Sequence, residues 1–362
     1  MVISSHHQQQ LKAPAVPPTE ADVAAYLDEH VRVIDRPVRH THLFEDAVAI
    51  VQTVFADWTA DDLKLVQCKD GITNKLVRCT HVPSQTNVLI RAYGRRSEVI
   101  IDRKQEITNI VCLAKLDLSP PLYGRFNNGL VYGFIPGQML LPEQLTDPHM
   151  GRCIARKLAR WHQVRIPGSV EAKLFPTLWR WMDEVPSEYN NAQTQATYLE
   201  KINLPELKAE LKQLQARLEQ LDAPVVFAHN DLLAGNLIYN EEKDEVSFID
   251  YEYGCYNYRG FDIGNHFNEY AGFECAYERY PTKEAQLPWL RQYLTSAGAT
   301  VTDATLETLY REVNQFALAS HFYWGLWALV QAELSNIDFD YISYAVLRFN
   351  EYYRRRDEFL AI

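Results

Sequence analysis

The spacing of apolar residues changes period once along this chain, and that change limits it to an α+β architecture. From about residue 40 to 135, short runs with strand character (Leu63 to Gln67, Lys75 to Cys79, Val88 to Tyr93, Leu130 to Phe134) alternate with turns and one helical stretch around Ile101 to Leu113. Gly133-Phe-Ile-Pro-Gly137 interrupts the pattern, and the chain beyond it follows mainly the 3.6-residue period of helices. Asp147-Pro148 has the form of a cap with proline in the first turn, and Met150, Ile154, Leu158 and Trp161 follow on one face. Leu207, Leu211, Leu214, Leu218 and Leu221 keep a helical period up to Pro224, and 303–334 and 338–356 read as further helices rich in aromatic residues.

At 362 residues with 47% apolar content, the chain has the length and composition for two lobes. The expected boundaries are a mobile tail over 1–18, polar and punctuated by Pro14, Pro17 and Pro18; a lobe over 19–135 with a small antiparallel sheet; and a mainly helical lobe over 136–362. Thr19, with Glu20 and Asp22 after it, marks a helix start, and Val31 to Ile34 a short strand.

Thirty-six Lys and Arg against 47 Asp and Glu give a net charge of −11, which argues against nucleic acid or anionic lipid as partners and favours a cation. The six cysteines form no Cys-x-x-Cys pair and read as reduced thiols, and His6, His7, His40 and His42 have no ligand partners at zinc spacing. Without an apolar leader or spanning segment, the address left by elimination is the cytoplasm.

The chemistry concentrates between Val225 and Gly272. An apolar strand, Val225-Val-Phe-Ala228, delivers His229-Asn-Asp231, and Asn236 follows five residues after the aspartate. That interval matches a phosphoryl-transfer loop in which the Asp accepts a hydroxyl proton and the Asn holds a metal ion. Asp250 arrives through a hairpin, Leu237 to Tyr239 and Val246 to Ile249 flanking a polar turn, which returns it beside Asn236. Either fragment alone is ordinary loop punctuation. Together they supply one base and two oxygen ligands of the kind that suit Mg²⁺.

His229-Asn-Asp-Leu-Leu-Ala-Gly-Asn236, Phe248-Ile-Asp-Tyr-Glu-Tyr253 and the run Tyr256 to Glu269 closely resemble the choline/ethanolamine kinase family. The resemblance extends back to Gly71-Ile-Thr-Asn-Lys75, Val88 to Gly94 and Leu122-Tyr-Gly124, and forward to His321 to Trp327, covering roughly residues 60–350. It implies a two-lobed protein-kinase-like fold with ATP in the cleft and Mg²⁺ on its phosphates. It assigns Asp231 as base, Asn236 and Asp250 to the metal, and Arg91 to the phosphates with Glu106 as its partner. Gly71, Thr73, Asn74 and Lys75 would belong to a loop over the nucleotide. That loop carries one glycine where protein kinases carry G-x-G-x-x-G. Asp250-Tyr-Glu252 replaces Asp-Phe-Gly, and no Ala-Pro-Glu element follows, all of which argues for a small-molecule substrate.

A small ammonium alcohol needs carboxylates and aromatic faces, a desolvated cation gaining about 2 kcal/mol over a ring. The resemblance places Tyr253, Trp324 and Trp327 as faces and Glu269 as charge, with Asp231 at the hydroxyl. Glu252 reads either as a further carboxylate near the metal or as a strand-end acid. His229, Arg259, Asp262, Asn265 and His266 read as braces for the loop, Asp262 through backbone bonds. Leu233 stands where choline-type members tend to carry Gln, and Asn268-Glu-Tyr-Ala-Gly272 looks like the ethanolamine branch. The expectation is an ATP-dependent ethanolamine kinase making phosphoethanolamine for phosphatidylethanolamine synthesis. A choline, dual-specificity or aminoglycoside-type kinase and a silent amine-binding module are the alternatives, and a homodimer is left open.

Overall fold

The computed structural model describes residues 17–68, 74–94, 97–335 and 337–362. Helix α1 (Glu20–His30) starts in a capping box in which Thr19 and Asp22 exchange side-chain and backbone bonds. Strand β1 (Arg32–Ile34) leads to helix α2 (Leu43–Val54), and then β2 (Leu63–Cys68), β3 (Lys75–His81) and β4 (Thr86–Ala92) form a meander. Helix α3 (Arg103–Ala114) precedes β5 (Leu122–Phe126) and β6 (Gly129–Gly133). The six strands make one sheet in the order β1-β5-β6-β4-β3-β2.

Two expectations need correction. The sheet is not wholly antiparallel, because β1 pairs parallel with β5, Arg32 opposite Gly124. The stretch from 40 to 135 holds two helices rather than one, since 43–54 is helical. Its β-branched Val48, Ile50, Val51 and Val54 have weak helix propensity. Burial overrides that preference: Leu43, Ala47, Ile50 and Val51 share one face and pack on the alternating Val77, Cys79, Val88 and Ile90 of the sheet.

After Gly133 the chain leaves that sheet. Strand β7 (Gln138–Met139) pairs instead with β9 (Leu237–Asn240), which continues to β10 (Glu245–Phe248). Helices α4 (Pro148–Trp161), α5 (Leu174–Glu184), α6 (Ala192–Lys201) and α7 (Leu204–Leu218) come before β8 (Val225–Ala228), which pairs antiparallel with β11 (Cys255–Tyr258). Asp147 caps α4 by accepting from the amides of His149 and Met150. The chain ends in α8 (Arg259–Asn268), α9 (Lys283–Ser296), α10 (Asp303–Leu334) and α11 (Tyr341–Leu360).

Helix α10 is buried on all sides from Glu312 to Gln331, because α8 and α11 pack on it. The close approach to α8 depends on Gly264. A Cβ there would sit 2.6 Å from the carbonyl oxygen of Val313 and 2.8 Å from the amide of Ala317. No described helix is long and apolar enough to cross a membrane.

Candidate active site

Strand β8 ends at Ala228 and the chain turns sharply, Asn230 taking a φ of +68°, which its short polar side chain tolerates. The turn is held from below by Asp262 in the first turn of α8. Its fully buried carboxylate accepts the Asn230 amide at 2.7 Å, the His229 amide at 2.8 Å and His162 Nε2 at 3.0 Å. Burial alone would raise the Asp262 pKa; the His162 bond and the neighbouring histidines and amides bring it below the ordinary 3.8.

His229 joins the two halves of the site. Its Nε2 donates to the Ile249 carbonyl at 2.9 Å, which leaves Nδ1 as the acceptor facing the Asp231 amide at 3.3 Å. Burial drives its pKa down to about 4, so the ring is neutral and acts as a brace. Asn265 supports the loop from α8 through the Asn230 carbonyl, and His266 does so through Leu232. Arg259 does not touch the loop; it pairs with Glu312 on α10.

Asp231 is buried. Asn236 Nδ2 donates to its Oδ2 at 2.9 Å and to its carbonyl at 2.8 Å, while Oδ1 has no partner among the described residues. Burial, and then the charges of Asp250, Glu269 and Glu252, push the Asp231 pKa well above the ordinary value. A cation placed nearby would oppose these effects and favour the ionised form. The hairpin returns Asp250 to Asn236 as its spacing predicts, the Ile249 amide donating to the Asn236 carbonyl at 3.0 Å. Asp250 has a φ of +64° and keeps about a third of its side chain exposed.

Asp250 meets a charge cluster that spans both lobes. Arg91 on β4 approaches Asp250 at 2.9 Å and Glu106 of α3 at 3.3 Å, and it donates to Glu252. Arg103, three residues before Glu106 on α3, bonds Glu106 and Glu252 at 2.9 Å each. Burial and then the two glutamates raise the Asp250 pKa, Arg91 opposes them, and the balance lies at about 6. Glu252 is therefore engaged by two arginines and 3.5 Å from the Asn74 amide nitrogen, which ends its ambiguity in the sequence. Arg103 carried no motif; its only trace in the sequence was the i, i+3 spacing to Glu106. Lys75 opens β3 opposite Ala92 with no polar partner among the described residues, and Gly71 and Thr73 lie outside them.

The aromatic residues also converge. Tyr253 meets Trp324 edge-on at 5.4 Å, its hydroxyl accepts Trp327 Nε1–H at 2.8 Å, and Trp324 Nε1–H is held by Asn265 at 2.7 Å. Glu269 does not stand alone, because Arg348 of α11 pairs with its Oε1 at 2.9 Å. No sequence motif pointed to Arg348. No described residue bonds Oε2 of Glu269, which leaves one acceptor for a ligand.

A sheet lobe and a helical lobe meeting at a cluster of carboxylates, one of them fully buried, and an arginine define a kinase with the protein-kinase-like fold. The choline/ethanolamine kinase family model matches residues 65–353, and the chain belongs to that family. It is 40% identical over 328 residues to ethanolamine kinase 2 of Mus musculus, covering 90% of this chain and 84% of the relative. It is 45% identical over 306 residues to probable ethanolamine kinase A of Dictyostelium discoideum, covering 83% and 87%. The solved Plasmodium vivax ethanolamine kinase superposes with a TM-score of 0.79 at 28% identity, over 93% of this chain and 98% of that one. A kinase of this family uses ATP, a small-molecule acceptor and a divalent metal. The residues fit the metal: Asp250 offers a carboxylate that is about a third exposed, and Asn236, whose amide nitrogen is committed to Asp231, offers its amide oxygen, an all-oxygen set.

Proposed function

We propose that this chain transfers the γ-phosphoryl group of ATP to the hydroxyl of ethanolamine, releasing ADP and phosphoethanolamine for phosphatidylethanolamine synthesis. The observation that carries the reading is the unpartnered Oδ1 of Asp231, buried within reach of the charges of Asp250 and Glu269. Asp231 Oδ1 takes the hydroxyl proton as the substrate oxygen bonds to the γ-phosphorus and the bond to the ADP oxygen breaks. Asn236, whose amide nitrogen is committed to Asp231, offers Oδ1, and Asp250 offers its carboxylate, to Mg²⁺. Bound there, Mg²⁺ neutralises charge that develops on the phosphate oxygens. Arg91 orients Asp250 and faces the phosphates, Glu106 and Glu252 hold Arg91, and Asn74 and Lys75 border the nucleotide.

Tyr253, Trp324 and Trp327 give the ammonium its faces, and Glu269 Oε2 accepts one of its N–H groups. A primary ammonium has three donors to satisfy and a trimethylammonium has none, so an open carboxylate oxygen favours ethanolamine over choline. The test is ADP release from ATP by the purified protein with ethanolamine, with choline and with neither, and with EDTA followed by Mg²⁺ restoration. Ethanolamine-dependent release that EDTA stops and Mg²⁺ restores is the expected result. Preference for choline corrects the pocket reading, and amine binding without turnover assigns the chain to silent binding.

A further inference from the structure

Away from the active site, three side chains of metal-ligating type converge from two elements. His149 and Cys153 lie four residues apart on the first two turns of α4, so they share a face. Asp244 sits in the turn that joins β9 to β10. His149 Nε2 is 2.6 Å from Asp244 Oδ1, and Cys153 Sγ lies 3.8 Å from each of these atoms. We propose that His149, Cys153 and Asp244 bind a zinc-class divalent ion that pins the tip of the β9–β10 hairpin to α4.

The donor set selects the metal. Imidazole, thiolate and carboxylate together suit zinc, whereas Mg²⁺ and Ca²⁺ take oxygen alone. Tetrahedral bonds of about 2.0–2.3 Å separate the ligand atoms by roughly 3.3–3.6 Å. The two edges through Sγ are within a few tenths of an ångström of that. Only the Nε2 to Oδ1 edge has to lengthen, and both of those side chains are about half exposed and able to move. Tyr239 donates to Asp244 Oδ1 at 2.9 Å, supporting the carboxylate as a ligand's outer partner does. Arg156 Nη2 lies 3.0 Å from Sγ and is the competitor; its side chain is half exposed and can swing to solvent. On binding, the Cys153 proton passes to solvent as the Sγ–metal bond forms. The clamp has a consequence for the kinase site, because Asn236 and Asp250 flank this hairpin.

The probe is Co²⁺ added to chelator-stripped, full-length protein in excess Mg²⁺, with thiolate-to-cobalt charge-transfer absorption as the readout. Asp231, Asn236 and Asp250 contribute no sulfur, and histidines in the N-terminal segment cannot produce this band either. One Co²⁺ per chain, a band that disappears in Cys153→Ser, and a thermal midpoint that rises with Co²⁺ are the expected results. Because Cys153 is buried, the half-exposed His149→Ala provides the independent check. It should weaken cobalt binding by at least the roughly tenfold to hundredfold that loss of an outer partner costs. A missing band, a band that persists in Cys153→Ser, or equal affinity in wild type and His149→Ala overturns the proposal.

Discussion

The Asp262→Asn substitution isolates the support of the catalytic loop from the chemistry. The carboxylate accepts three N–H groups, from Asn230 and His229 of the loop and from His162 of the C-terminal end of α4, and it is fully buried. The asparagine has the same shape but only one acceptor oxygen. Turned to keep His229 and His162, it presents its NH₂ to the Asn230 amide, donor against donor. A bond to a charged acceptor contributes about 1.5–3 kcal/mol, and an orphaned buried donor costs about 1–3 more, so the variant should lose about 3 kcal/mol or more. Urea unfolding measures this. Because the Asp262 pKa is depressed in the folded state, its stabilisation is fully present above the ordinary 3.8 and is lost as pH falls through the lower folded value. The gap between wild type and variant should therefore narrow only in strong acid. Asp231 follows directly on these amides, and a loop displaced by about 1 Å costs about a hundredfold in rate. The expected kinetic signature is a fall in kcat with little change in the KM for ATP. A loss below about 0.5 kcal/mol with wild-type kcat would refute the bracing role.

Asp231→Asn should lower kcat by about 10²–10⁴-fold, the usual worth of a general base, with nucleotide–metal binding retained in calorimetry; joint loss of that binding would move Asp231 to the metal. A cation at Asp250 must displace the proton that a pKa of about 6 keeps there, so Mg²⁺ affinity should rise with pH up to that point and level off above it. Asp250→Ala should abolish this dependence, and a flat wild-type profile across about pH 5 to 8 would contradict it. Gly264→Ala should destabilise by about 1–3 kcal/mol despite alanine's better helix propensity, because its Cβ meets backbone of α10. A gain in thermal stability would show that α8 and α10 can part without penalty.

The parts of the site carried by local sequence were legible. Asp231 and Asn236 sit on one loop, and the hairpin that returns Asp250 is read from two short strand-like runs, Leu237 to Tyr239 and Val246 to Ile249, around a polar turn. Asp262, the fourth residue of the helix that directly follows β11, was legible as a brace through the family resemblance. What local pattern could not carry was pairing across distance. Arg348 lies 79 residues from Glu269, and Arg103 lies 149 from Glu252; neither belongs to a periodic or spaced motif. Helix 43–54 was missed for the opposite reason, since its own residues favour strand and only the sheet beneath it makes it a helix.

Those long-range pairs gather opposite charges between the lobes. Arg91 comes from β4, Arg103 and Glu106 from α3, and Asp250 and Glu252 from the segment after β10. Among the described residues, two guanidinium groups face three carboxylates, with Asp231 beyond them. Burial and the neighbouring carboxylates shift both Asp250, to about 6, and Asp231 upward, so the protonated form is favoured at the two residues proposed to act in the reaction. Glu252 instead stays below its ordinary range: burial alone would raise it, but Arg91 and Arg103 outweigh that, so the inter-lobe latch keeps its charge. A divalent ion with an ammonium substrate would replace the protons on the reactive pair while leaving the latch intact. The same cluster then both joins the lobes and, in the proposed reaction, stands where the reactants' positive charge enters.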